Sequence, residues 1–272
     1  MNARRAAGFT LIELIVALVI SAIVVGFVAT FLAVPVQAHL AQARRSELAS
    51  SAEDAARSMA RDVRGALPNS LRVGVVNGRP AVEMIAVAGV AIYRHVLAPE
   101  GDYLRFDVAD DLFDVLGQPA AASHVVVNNL GVAGADAYAM ADVIALAQMD
   151  PPPSSTIRLN PLVLFPAPSP HRRVFLVSPA GAVIRYECDL VGGTLRRYAG
   201  QPINGPMVAL PAAAPFTVIA RNLTACTFTS SPLPAPPEHG GVLQVQMTIS
   251  RAVNGGTENV RVMKYLKMEN AA

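Results

Sequence analysis

Gly8-Phe9-Thr10-Leu11-Ile12-Glu13-Leu14 opens the stretch that decides the fold. From residue 14 to residue 36 the side chains are almost all Leu, Ile, Val, Ala and Phe, interrupted only by Ser21, Gly26, Thr30 and Pro35. As a helix this run extends about 34 Å, enough to cross a hydrocarbon core about 30 Å thick. Arg4 and Arg5 precede it. By the positive-inside rule they stay cytoplasmic, which sends everything after residue 37 across the membrane. An ordinary secretory signal has a shorter apolar stretch followed by a small-residue cleavage site. Val36-Gln37-Ala38 is a weak candidate for such a site, but the run is too long and carries a carboxylate, Glu13, near its start. A plain anchor has no use for Glu13. At membrane depth a charged carboxylate costs roughly 2.5–3.5 kcal/mol on insertion scales, so it calls for a functional explanation.

Residues 8–14 resemble, at every position, the class III leader of type IV pilins and type II secretion pseudopilins. The resemblance implies that a prepilin peptidase cuts between Gly8 and Phe9 and that the new Phe9 amine is N-methylated. Glu13 then becomes the fifth mature residue. The physical logic stands beside the resemblance. Cleavage creates a positive amine on Phe9, and Glu13 lies one helical turn on. Between staggered helices Glu13 can pair with a neighbour's amine, removing two uncompensated charges from apolar surroundings. Breaking such a buried pair typically costs about 3–5 kcal/mol. The pair would therefore set the register between subunits.

Beyond Pro35 the pattern turns amphipathic. Leu48, Ala52, Ala55, Met59, Val63 and Ala66 recur at three- and four-residue intervals, opposite Glu53, Asp54, Arg57, Arg61 and Arg64. Glu53 and Arg57 stand at the favourable i,i+4 spacing. Gly65 and Pro68 mark the end of the helix. A helix from Phe9 to about Gly65 is on the order of 85 Å long. Pro35 removes a backbone donor within it and is expected to kink or loosen it. The apolar stripe is expected to pack on the protein's own sheet.

From residue 68 the periodicity becomes two. Residues 71–76 and 81–87 flank Asn77-Gly78 as a hairpin, with Pro80 delaying the second strand. Residues 91–96 and 103–108 read as further strands, and 174–177 with 183–188 as a hairpin about Ser178-Pro179-Ala180-Gly181. Leu243, Val245, Met247 and Ile249 alternate with Gln244, Gln246, Thr248 and Ser250, and Asn254-Gly255-Gly256 turns this strand into residues 259–266. The head is expected to be mostly antiparallel sheet. The Pro-rich stretches at 151–153, 161–170 and 232–237 are excluded from central strands. Cys188 and Cys226 both fall in predicted strands of an exported domain, which suggests one disulfide; two buried free thiols are the alternative.

Net charge is +2 for the whole chain, and loss of Arg4 and Arg5 from its 22 basic residues leaves 20 against 20 acidic. A neutral mature chain gives no support for a nucleic-acid partner. His171-Arg172-Arg173 and Arg196-Arg197 read as solvent-facing strand ends rather than a DNA patch. Asp107, Asp110, Asp111 and Asp114 read as a solvated loop or short helix; they lack EF-hand spacing, although oxygen ligands suit calcium. The five histidines, His39, His95, His124, His171 and His239, lack ligand spacing, and no hydrolase, Walker or zinc motif is present. No catalytic residue, metal or cofactor is expected, and the chain is read as a non-enzyme.

Three further segments resemble MshO-type minor pilins of the mannose-sensitive haemagglutinin pilus. They are residues 61–70 (Arg61 to Ser70), 173–178 (Arg173 to Ser178), and 185–189 with 193–198. J-type minor pseudopilins of type II secretion share the plan. Together the resemblances imply an α+β, type IV pilin-like fold: a leader over residues 1–8, a stem helix over 9–67 that is transmembrane at about 11–36, and a periplasmic β-rich head over 68–272. They imply a single-pass inner-membrane subunit that later enters a filament. Its expected partners are prepilin peptidase, other pilin or pseudopilin subunits, the inner-membrane assembly platform and membrane lipid. A tip adhesin or DNA receptor on the same stem is the alternative use of the head.

Overall fold

The computed structural model describes residues 10–94, 102–116, 124–140, 144–149, 155–231, 241–253 and 256–268. The chain divides into two compact units, Met1–Glu47 and Leu48–Ala272. One helix, α1 (Leu11–Arg64), supplies the described part of the first unit and the opening segment of the second. It continues through Pro35.

Within the second unit the apolar stripe is the core. Ala52, Ala55, Met59, Val63 and Ala66 are fully buried. The expected Glu53–Arg57 pair does not form. Glu53 instead accepts from Lys264 Nζ at 3.0 Å, and Arg57 pairs with Asp54 at 3.1 Å. The helix ends at Gly65, and the Leu67 amide bonds to the Ile85 carbonyl at 2.8 Å, turning the chain into sheet.

Strands β1 (Arg72–Val76) and β2 (Arg79–Ile85) form the expected hairpin. Asn77 (φ 51°) and Gly78 (φ 74°) are both left-handed, as a two-residue hairpin turn demands. Pro80 lies inside β2 rather than delaying it, because pairing with the next neighbour starts only at Ala81, so no ladder bond needs the missing N–H.

The chain then builds a closed six-stranded barrel from β3 (Gly89–Tyr93), β4 (Asp110–Leu116), β5 (His124–Val127), β6 (Ile144–Met149), β7 (Thr156–Val163) and β8 (Arg173–Val177). The barrel order is β3-β4-β7-β6-β5-β8, closed by β3 on β8. Phe113, Val125, Ile157, Phe165, Val174 and Leu176 fill its interior. Three expectations fail here. Residues 103–108 are not a strand but lead into β4 through a bend, because the buried Asp110 carboxylate takes the amides of Arg105 and Asp111 at 3.0 and 2.9 Å. The acidic cluster is therefore mostly strand, neither loop nor helix. Pro161 sits within β7, between two paired strands. It is tolerated because the β4 ladder is irregular there, jumping from Leu112↔Arg158 to Asp110↔Val163. The Pro-rich stretches at 151–153 and 232–237 lie outside the described residues.

After β8 the chain returns to the first sheet as β9 (Val183–Asp189), β10 (Thr194–Gln201) and β11 (Thr217–Arg221), completing the order β1-β2-β9-β10-β11. The expected β8–β9 hairpin is absent. The Ser178–Gly181 turn carries the chain from barrel to sheet, since β8 pairs with β3 and β5 while β9 pairs with β2 and β10. At Asn222 (φ 60°) the chain passes into a second sheet, β12 (Leu223–Ser231), β13 (Val242–Val253) and β14 (Gly256–Lys267), in that order. The alternation read in 243–250 is confirmed as β13, with Leu243, Val245, Met247 and Ile249 buried. Both sheets bury one face against the helix segment: Val82, Met84, Ile184 and Tyr186 from the first, and Cys226, Phe228, Val245 and Met247 from the second. The outer face of the first sheet shares a separate core with the barrel through Leu67, Ile85, Val126, Phe175 and Val183.

Candidate assembly site

Gly8 and Phe9 lie outside the described residues, so the site is built from Thr10 onward. Thr10 is the last residue before α1 and acts as its N-cap. Its Oγ1 accepts the Glu13 amide at 3.4 Å, the hydroxyl half of a capping box, and donates to Glu13 Oε2 at 3.5 Å. A carboxylate in the first turn also suits the positive end of the helix dipole. Thr10-x-x-Glu13 is also the sequence signature of a helix N-terminus, so the same residues serve the helix end as well as the membrane segment. A hydroxyl at 3.5 Å is at the limit of hydrogen bonding, and among the described residues no cation pairs with Glu13.

From Leu14 to Leu40 every described side chain of the helix is exposed. Leu11, Phe27 and Phe31 are 75%, 69% and 82% exposed, and α1 is the one helix among the described residues long and apolar enough to cross a membrane. Exposed side chains on all sides of a helix require an apolar medium or other helices around them. The Thr30 hydroxyl donates to the Gly26 and Phe27 carbonyls, both at 3.0 Å, so this polar group needs no partner from outside the helix. Pro35, within the same helix, withholds the donor that the carbonyl one turn earlier would otherwise receive.

In the second unit the helix is fastened by a polar clamp as well as by its apolar stripe. Asp62 accepts from Arg197 Nε at 2.6 Å and NH2 at 3.1 Å, and from Tyr186 Oη at 2.6 Å. Burial, and then the bond to Asp62, push the Tyr186 hydroxyl well above the usual tyrosine range. The bond to Asp62 raises Arg197 further. Arg196 and Arg197, expected at solvent-facing strand ends, are thus both committed: Arg197 to the helix and Arg196 to the buried Asp189. Strand alternation sends the two neighbours to opposite faces of β10.

Cys188 on β9 and Cys226 on β12 form a disulfide, with Cα atoms 6.2 Å apart. It ties the first sheet to the second directly beneath the helix segment. Among the described residues no group of three or more His, Cys, Asp or Glu side chains is placed to hold a metal.

A family model described as the prokaryotic N-terminal methylation motif matches residues 3–29. No curated protein and no solved structure matches the chain. The match covers the leader and the start of α1. It supports a type IV pilin-like class III leader, a pilin- or pseudopilin-type function, processing by prepilin peptidase and assembly with other pilins. One exposed apolar helix that begins within that motif fits a membrane-anchored pilin.

Proposed function

We propose that this chain is a minor pilin of the MshO type, held in the inner membrane with a periplasmic head and then incorporated into a type IV pilus, which it helps to initiate. The observation that carries the reading is Glu13, a carboxylate with no counter-charge among the described residues, one turn from the expected Phe9 amine at the head of an exposed apolar helix. Residues 1–8 are the leader, 9–67 the stem and 68–272 the head. Cleavage after Gly8 frees the Phe9 amine, and methylation preserves its positive charge. In the filament the amine of one subunit neutralises Glu13 of the next, and the surrounding apolar side chains replace lipid contacts with subunit contacts. Pro35 offers a point at which the stem can bend as it is packed.

Mass spectrometry of filament-associated protein provides the test. The expected N-terminus is N-methylated Phe9, and Glu13→Ala is expected to abolish incorporation while the disulfide-bonded head still folds. Protein that retains residues 1–8, protein cut after Ala38, or Glu13→Ala subunits incorporated at the wild-type level would each overturn the proposal.

A further inference from the structure

The face of the first sheet turned away from the helix carries charge. Alternation along β9 points Ile184, Tyr186 and Cys188 to the helix and Arg185, Glu187 and Asp189 outward, yet those three are only 2%, 5% and 3% exposed. Arg72 and Arg185 both bind Glu83, and Arg185 also bonds Glu187 at 3.1 Å. At the end of the network Asp189 holds two guanidiniums, Arg196 and, at 3.4 Å, Arg79. At this end two guanidiniums share the one carboxylate of Asp189, a local surplus of positive charge. A cavity of about 310 Å³ opens beside this surplus, lined by Asn77, Arg79, Glu187, Arg196, Tyr198 and Phe216 among others. That volume falls at the lower end of small-molecule sites.

The arrangement is built in advance of any ligand. Arg196 is fixed on three sides: its Nε bonds Thr194 Oγ1 at 3.2 Å, it pairs with Asp189, and it stacks over the Phe216 ring at 4.6 Å. Ordering it therefore costs little on binding. Arg79 touches Asp189 through Nε, and among the described residues its terminal N–H groups have no partner, leaving them for another acceptor. Those groups suit a carboxylate. Glu187 is already neutralised by Arg185, so it serves as a hydrogen-bond acceptor for hydroxyls rather than as a counter-charge for an ammonium group. Phe216, 45% exposed and tilted against Tyr198 at 5.6 Å, supplies an apolar wall.

We propose that this cavity binds a small hydroxylated monocarboxylate, an acidic sugar residue. Its carboxylate lies on Arg79 and Arg196, its hydroxyls on Glu187 and Asn77, and its C–H face on Phe216. The site is formed by the head alone, so it stands or falls apart from leader cleavage and filament assembly.

Calorimetric titration and saturation-transfer NMR of the full-length chain in detergent micelles test this with glucuronate, glucose and acetate as probes. Glucuronate is expected to bind in the range of about 1 mM or tighter. Glucose and acetate, each lacking half of the recognised chemistry, are expected to bind at least about tenfold more weakly. Arg79→Gln is expected to weaken glucuronate about tenfold or more, and Phe216→Ala to remove saturation transfer to the ring C–H protons. Glucuronate that fails to bind at about 10 mM overturns the proposal, as does binding that glucose or acetate matches, or that neither variant changes. Melting temperatures check both variants; should Arg79→Gln unfold the head, Phe216→Ala, altered at a partly exposed loop side chain, decides alone.

Discussion

Removing Asp62 should loosen the helix from its sheet. Asp62 accepts one bond from Tyr186 and two from Arg197. Charge-assisted bonds contribute about 1.5–3 kcal/mol each at most, and exposed pairs much less. With the Arg197 and Asp62 side chains 26% and 16% exposed, the pair lies between the surface and buried limits. Asp62→Ala is therefore expected to cost about 3 kcal/mol, and Asp62→Asn, which keeps the shape and one acceptor, about 1–2 kcal/mol. Tyr186 would keep Ser58 Oγ, 3.5 Å away, as a poor substitute partner. A double-mutant cycle with Arg197→Ala should return a coupling of about 1.5–3 kcal/mol. The chain has no Trp and six Tyr, so tyrosine emission during urea unfolding of the full-length protein in micelles reports on this region. A coupling under about 0.5 kcal/mol would mean that the clamp is no more than a surface contact and does not fasten the helix.

Alkaline pH should act through buried tyrosines. Burial pushes Tyr93 up to about 12 and raises Tyr138 and Tyr186 as well. The native state therefore holds these protons more tightly than the unfolded chain. Stability should be level up to about pH 10 and fall above it, with a shallower fall in Tyr186→Phe, as read from urea midpoints across pH. Glu83→Ala should destabilise the head by about 3–5 kcal/mol, because Arg185, 3% exposed, loses its main counter-charge; a midpoint shift under half of that would argue that Glu187 suffices alone. Reducing Cys188–Cys226, which encloses a sequence separation of 38 residues, should lower stability by up to about 4 kcal/mol in the chain-entropy limit, measured as a urea midpoint shift with and without reductant.

The parts legible in the sequence are those that local chemistry dictates. The apolar run, the i,i+3/i+4 stripe from Leu48 to Ala66, the Asn77-Gly78 turn and the alternation of β13 each follow from residues within one element. What failed depends on distant partners. Ser178-Pro179-Ala180-Gly181 has the composition of a hairpin turn, but pairing with β3 and β5 draws β8 into the barrel. Pro161 is admissible in β7 because β7 itself bulges out of its ladder with β4 between Arg158 and Val163. Arg185, Glu187 and Asp189 carried no reading of burial, because nothing local shows that Arg72, Arg79 and Arg196 converge to bury them. At the candidate assembly site the opposite holds: Thr10, Glu13 and the exposed helix are all contiguous, and the helix cap lies in the same seven residues that carry the leader.

The disulfide has a mechanical consequence. The last turns of α1 are gripped between two sheets joined in sequence only at Asn222, so an axial tug on the helix would tend to prise the sheets apart like the jaws of a clothes peg. Cys188–Cys226 ties the jaws together close to the hinge, so that the helix must be sheared out lengthwise, breaking Asp62–Arg197 and the packing of Met59 and Val63 at once. A subunit hauled by its N-terminal helix would then yield only at high force, and a reducing environment would turn a firm tether into a slipping one.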